Sequence, residues 1–204
     1  MWLFLSLRDI IRVLQKELTI RDRARERLLS YSRTVTRTSK QAIMMIHRGK
    51  QDDAEKKLLL AREKLEEIRK ISSPHPELAY GGLLNAAYEE YTEAWTLFKF
   101  VKEEGFLDPK EWGIPTICYL SGLGDVIGEL RRIALDSLRL GNLETAEKCL
   151  RTMEDVYIEL VSLEDVHGLA PNIRRKSDIA RSLIELTRGD ITTETRRSLL
   201  ETSL

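Results

Sequence analysis

The sequence predicts an all-α protein, folded as a single helical domain over residues 1–204. Three observations carry this. Only 5 Pro and 11 Gly interrupt 204 residues, and they fall between long segments. Within those segments apolar residues recur at spacings of three and four, the helix period. Hydrophobic residues make up 42% and charged residues 32%, too apolar for disorder and enough for one sizeable core.

The first helix is expected over 5–46, with a kink near Leu18-Thr19. Ile10, Ile11, Leu14 and Leu18, then Leu28, Leu29, Tyr31, Val35, Ala42, Ile43 and Ile46, are its apolar positions. One small bundle does not cover a helix this long, so its free end is expected to pack on another subunit. Gly49 suits the residue after its end. A second helix, 51–71, has Leu58, Leu59, Ala61, Leu65 and Ile68 as its buried stripe. Ser72-Ser73-Pro74-His75-Pro76 then breaks the chain, as a turn between packed helices.

The third helix is expected over 77–104, with Tyr80, Leu84, Ala87, Tyr91, Ala94, Phe98 and Val101 as a regular core stripe. Residues 108–115 read as a compact loop anchored by Trp112. A fourth helix, 116–140, turns Leu120, Leu123, Ile127, Leu130, Ala134 and Leu138 inward. Its Gly122, Gly124 and Gly128 each cost up to about 1 kcal/mol against Ala, which close approach of another helix or a ligand would justify. Helices follow over 143–163 and 171–186, with a break at Gly189-Asp190 and a short last helix over 193–203. Arg174, Arg175 and Lys176 sit near the positive end of the 171–186 helix, an awkward place for cations unless an anion lies nearby or solvent takes them.

The net charge of zero hides an asymmetry. Residues 1–50 hold twelve Lys or Arg against four Asp or Glu, +8, and the remainder is −8. A basic first third suits a phosphate backbone, and it equally suits a solvated helix face. Cys118 and Cys149 are isolated, which argues against zinc and against a disulfide framework and predicts buried free thiols. No run approaches the roughly 18 apolar residues of a membrane span, and the start lacks a basic leader, so a cytoplasmic protein is expected.

The chemistry-bearing residues are acids. Beside the core stripe of the third helix runs a second stripe, Leu83, Ala86, Glu90, Glu93, Leu97, Phe100, with two carboxylates one turn apart at its centre. Asp125 and Glu129 form another same-face pair on the next long helix. Crowded carboxylates are costly unless neutralised, and a hard divalent ion such as Mg²⁺ or Mn²⁺ is the simplest partner. Such an ion lowers the pKa of bound water and polarises a phosphoryl oxygen, the apparatus of phosphodiester hydrolysis. Exposed acids at these spacings are also common on helices, and spacing alone leaves both readings open. His47, His75 and His167 are scattered, and no GxSxG, Walker A or GxGxxG motif is present, which disfavours nucleophilic and nucleotide-driven chemistry.

Three stretches resemble the translin family, and within it the archaeal relatives of translin-associated factor X. Arg25 to Arg33, continuing through Ser39-Lys40 to Ile46-His47-Arg48, is similar to the family's long first helix. Tyr88-Glu89-Glu90-Tyr91-Thr92-Glu93-Ala94 is similar to the "QEYVEA" stretch of its catalytic subunit. Tyr119 to Arg132, with Gly122, Asp125 and Glu129, resembles its "DYLxGxxDLTGELMR" helix, and Asp136-Ser137-Leu138 to Gly141 follows as in the family. The resemblance implies a seven-helix α-α superhelical subunit in a hollow, roughly octameric shell that binds single-stranded RNA or DNA on a basic inner surface. It implies a Mg²⁺-dependent endoribonuclease, with Glu90, Glu93 and Asp125 as metal ligands and Glu129 as a ligand or water-orienting group. Arg21, Arg25, Arg33, Arg37, Lys40, His47 and Arg48 are the expected nucleic-acid contacts. Non-catalytic translin subunits lack parts of the acidic set, whereas all four positions here are acidic. Glycine-rich 122–128 and a short N-terminus depart from the eukaryotic factor, and a homo-oligomer is implied. The alternatives are a non-catalytic single-strand binder and a scaffold whose acids pair with the Arg-rich helix.

Overall fold

The computed structural model describes residues 6–78, 81–163 and 171–202. These form seven α-helices: α1 (Leu7–His47), α2 (Gln51–Ser72), α3 (Gly82–Lys102), α4 (Pro109–Trp112), α5 (Thr116–Arg139), α6 (Leu143–Val161) and α7 (Pro171–Thr202), with one 3-10 turn at Pro76–Leu78. The described residues contain no strand, so the all-α expectation holds. α1 packs on α2 and α3, and α5 packs on α6 and α7. The two groups meet where α3 lies against α5.

α1 starts at Ser6, whose hydroxyl accepts the Asp9 amide, and spans 41 residues, about 61 Å at helical rise. Its first buried residue is Leu28. Before that Leu7, Ile10, Ile11, Leu14 and Leu18 are all exposed, so the N-terminal half stands clear of the subunit's own core as its length requires. The helix is continuous through Leu18-Thr19. On α2 the stripe Ala54, Leu58, Ala61, Leu65, Ile68 is buried, but Leu59 is 49% exposed, because it lies about 100° round the helix from Leu58.

α3 starts at Gly82 and buries Leu84, Ala87, Tyr91, Ala94 and Phe98, as the core stripe requires; Tyr80 and the 164–170 stretch, with His167, lie outside the described residues. The expected loop at 108–115 contains a single helical turn. Asp108 caps it by accepting the Lys110 amide at 2.8 Å, and Pro109 provides its first helical position. Trp112 does anchor it: its ring lies 4.9 Å from that of Trp95 and 6.2 Å from that of Tyr91, with the Arg62 guanidinium 4.1 Å above. Gly113 ends it with φ 63°, and a Cβ there would lie 2.4 Å from Arg69 Nη1.

α7 runs unbroken through Gly189-Asp190, where the sequence suggests a stop. A helical glycine costs about 1 kcal/mol, and contacts on both sides outweigh it. Arg131 of α5 donates to Thr187 at 2.7 Å and to Asp190 at 2.9 Å, and Ile191 is buried. Among the described residues no helix is long and apolar enough to cross a membrane. Cys118 and Cys149 are buried and free.

Candidate acidic site and basic groove

The glycines of α5 decide where its acids sit. A Cβ at Gly122 would lie 2.6 Å from Thr92 Cβ and 2.7 Å from the Glu89 carbonyl oxygen, so only glycine allows α5 this close to α3. A Cβ at Gly124 would lie 3.0 Å from Lys176 Cβ, so this glycine makes room for a side chain from α7. Gly128 has open space around it, and no close approach explains it.

With the two backbones in contact, Asp125 and Glu129 of α5 come near enough to Glu93 of α3 for their charges to act on it, as does Glu90 of α3 itself. Glu93 is at the centre. Its carboxyl is pushed up to about 8, first by burial and then by the negative charges of Asp125, Glu90 and Glu129, with Lys176 opposing. The four acids predicted from spacing therefore converge electrostatically on one carboxyl.

The other three are held by partners on α1, α5 and α7. Lys40 Nζ of α1 lies 2.9 Å from Glu90 Oε1, and this bond raises the lysine's pKa. Lys176 Nζ of α7 donates to Asp125 Oδ2 at 2.6 Å. His47, at the end of α1, meets Glu129 through Nε2, and Arg132 lies 3.8 Å from the same carboxylate. The His47 hydrogen bond pulls Glu129 below the usual carboxylate range against the opposing effect of burial. His47 Nδ1 is buried without a hydrogen-bond partner among the described residues.

The expected nucleic-acid contacts divide. Arg33, Arg37 and Lys40 are exposed on one face of α1 and line a groove of about 510 Å³ with Met44 and Leu83. Lys40 belongs to both groove and acid cluster, so the two adjoin. Arg48 is exposed just past the helix end. Arg21 and Arg25 lie 19 and 15 residues before Lys40, about 28 and 22 Å along the helix. There Arg21 pairs with Glu17 at 2.7 Å and with Glu77 at 3.5 Å, and Arg25 with Glu26 at 3.3 Å. His47 does not fit a surface contact: its side chain is 4% exposed and faces Glu129. Sequence reasoning missed Lys176, Ser121 and Glu89 as neighbours of the acids. A signal existed for the first, a cation near the positive end of its helix; the anion that explains it is Asp125 of the same chain.

By type, four carboxylates are the oxygen donors that a hard divalent cation takes, and Glu93 is the one on which burial and the other three charges act. Their side chains are spread among their lysine and histidine partners: among the described residues no three His, Cys, Asp or Glu groups are gathered into a ligand set.

Fold and site together define an α-helical subunit with a carboxylate cluster opening beside a cationic groove. The chain belongs to the translin family, whose match covers residues 23–185. Uncharacterized protein MJ0175 of Methanocaldococcus jannaschii is 35% identical over 186 residues, covering 91% of this chain and 82% of that protein. Translin-associated protein X of Mus musculus is 25% identical, covering 70% of this chain and 63% of that longer protein. Among solved structures, AfC3PO in complex with duplex RNA superposes with a TM-score of 0.85 at 32% identity, covering 93% of this chain and 98% of that one. Apo-NeC3PO, at 22% identity and a TM-score of 0.80, shares the fold.

Proposed function

We propose that the chain is the catalytic subunit of a homo-oligomeric, metal-dependent endoribonuclease acting on single-stranded RNA, with single-stranded DNA as a second ligand. The observation that carries this is the convergence of Asp125, Glu90 and Glu129 on Glu93, beside a groove lined by Arg33, Arg37 and Lys40. The relative whose structure is a complex with duplex RNA supports nucleic acid as the ligand class. A hollow, roughly octameric assembly and a cytoplasmic location accompany this reading.

Arg33, Arg37 and Lys40 would hold backbone phosphates, an attraction that weakens as salt rises. Lys40 would guide the strand to the acids, because the same ammonium bonds Glu90. Glu90, Glu93 and Asp125 would hold Mg²⁺ or Mn²⁺, and His47 keeps Glu129 ionised and oriented to accept a proton from water. When bound, the ion supplies activation of water and polarisation of the phosphoryl oxygen. Glu93 would give up its proton with the ion in place, since burial first, and then its neighbours' negative charges, are what hold that proton.

The pairing of Glu90, Asp125 and Glu129 with Lys40, Lys176 and His47 favours a second reading, a strand-binding oligomer without chemistry. Incubation with end-labelled single-stranded RNA, with EDTA, Mg²⁺ or Mn²⁺, separates the two. The nuclease reading expects divalent-dependent internal cleavage. Salt-sensitive binding with intact RNA under every condition would leave only the binder.

A further inference from the structure

Lys176 is the most fully engaged cation near the acids. Its Nζ donates to Asp125 Oδ2 at 2.6 Å, to Ser121 Oγ at 2.6 Å and to Ser121 O at 3.0 Å, and lies 3.4 Å from Glu89 Oε2. Three ammonium protons thus face four oxygens, three of them on α5. The arrangement is built rather than incidental. The stem runs over Gly124, where a Cβ would lie 3.0 Å from Lys176 Cβ and 3.1 Å from its Cδ. The side chain is 20% exposed, whereas Lys40, the other lysine on the cluster, is 62% exposed. Lys40 is free to swing into solvent with a passing strand; Lys176 is fixed by α7 packing on α5.

We propose that Lys176 is the resident counter-cation of the acidic site: it holds Asp125 when no divalent ion is bound, competes with that ion for the same carboxylate, and so sets the site's metal affinity. This rests on the acids being metal ligands, as argued above. Two cations a few ångströms apart repel strongly even when partly screened. An ion entering among Glu90, Glu93 and Asp125 must overcome that repulsion and draw Asp125 out of a 2.6 Å ion pair. Lys176 is therefore a positioning residue, acting through Asp125.

The test is Mn²⁺ binding to the full chain by isothermal titration calorimetry, with thermal unfolding in EDTA alongside. Lys176→Met removes the charge and keeps the stem over Gly124; it is expected to bind Mn²⁺ about tenfold more tightly than wild type. Lys176→Arg keeps the charge and is expected to stay within about twofold. Metal-free Lys176→Met should unfold at lower temperature, and saturating Mn²⁺ should restore most of the loss. Ser121→Ala loosens the ammonium without touching an acid or the lysine, and should tighten Mn²⁺ binding by about two- to threefold; it serves if Lys176→Met fails to fold. Wild-type binding that is unchanged or weaker in Lys176→Met, or in Ser121→Ala if that variant stands alone, overturns this inference and spares the metal site. Absence of binding in wild type and variants alike overturns both.

Discussion

Replacing Glu93 by Gln should stabilise the metal-free protein, and the gain should grow with pH. The Glu93 carboxyl stands at about 8 in the folded protein against an ordinary 4.5. The folded chain therefore binds this proton more tightly than the unfolded chain, and the group's contribution falls as pH rises. The native state loses nothing below about pH 4.5, and the loss deepens until pH passes about 8. Ionising such a group costs at most about 4 kcal/mol at pH 8 and under about 1 kcal/mol at pH 5. Residual solvent contact eases both the burial and the neighbouring charges, so about 2 kcal/mol at pH 8 is the working figure. For a chain of this size that is roughly 4–8 °C in Tm. Gln keeps the shape and removes the charge. The assay is thermal unfolding by circular dichroism in EDTA at pH 5, 6.5 and 8, wild type against Glu93→Gln. Glu129, whose carboxyl is shifted the opposite way by His47, is common to both proteins and cancels in the difference. A difference in Tm that is flat with pH, or a variant less stable than wild type at pH 8, would refute a Glu93 carboxyl buried among like charges.

Gly122→Ala should destabilise the fold by about 2 kcal/mol, because its Cβ would press on Thr92 and the Glu89 carbonyl between two packed backbones; a urea midpoint equal to wild type contradicts that close approach. Arg33→Ala and Arg37→Ala should each weaken single-stranded RNA binding at every sequence and reduce the salt slope by about 1, read by fluorescence anisotropy across a salt series. An unchanged slope would mean that the groove along α1 does not hold phosphate.

The helices were legible where periodicity alone decides. The stripe Leu84, Ala87, Tyr91, Ala94, Phe98 predicts α3, and the exposed Leu7, Ile10, Ile11, Leu14 and Leu18 follow from a helix too long for its own subunit. Gly189-Asp190 misled because the Arg131 contacts that hold α7 together come from a helix nearly sixty residues away. Leu59 misled because two adjacent leucines cannot both face one core. At the site, spacing identified all four acids as candidates but could not bring α3 and α5 together. Gly122 was a sign of close approach without a partner's name. His47 looks like a surface contact from its local sequence, where nothing shows Glu129 eighty-two positions on. Lys176 was visible only as a cation at an unfavourable helix end, and Asp125 explains it.

The central claim is that Glu93 and Asp125 form a metal-dependent catalytic centre rather than a charged seam between helices. Its most direct test is cleavage of labelled single-stranded RNA in Mg²⁺ by wild type, Glu93→Ala and Asp125→Ala, with oligomer size and RNA binding measured on the same samples. The expected result is cleavage by wild type, loss of at least about a hundredfold in both variants, and unchanged assembly and binding. Full activity in both variants contradicts the claim.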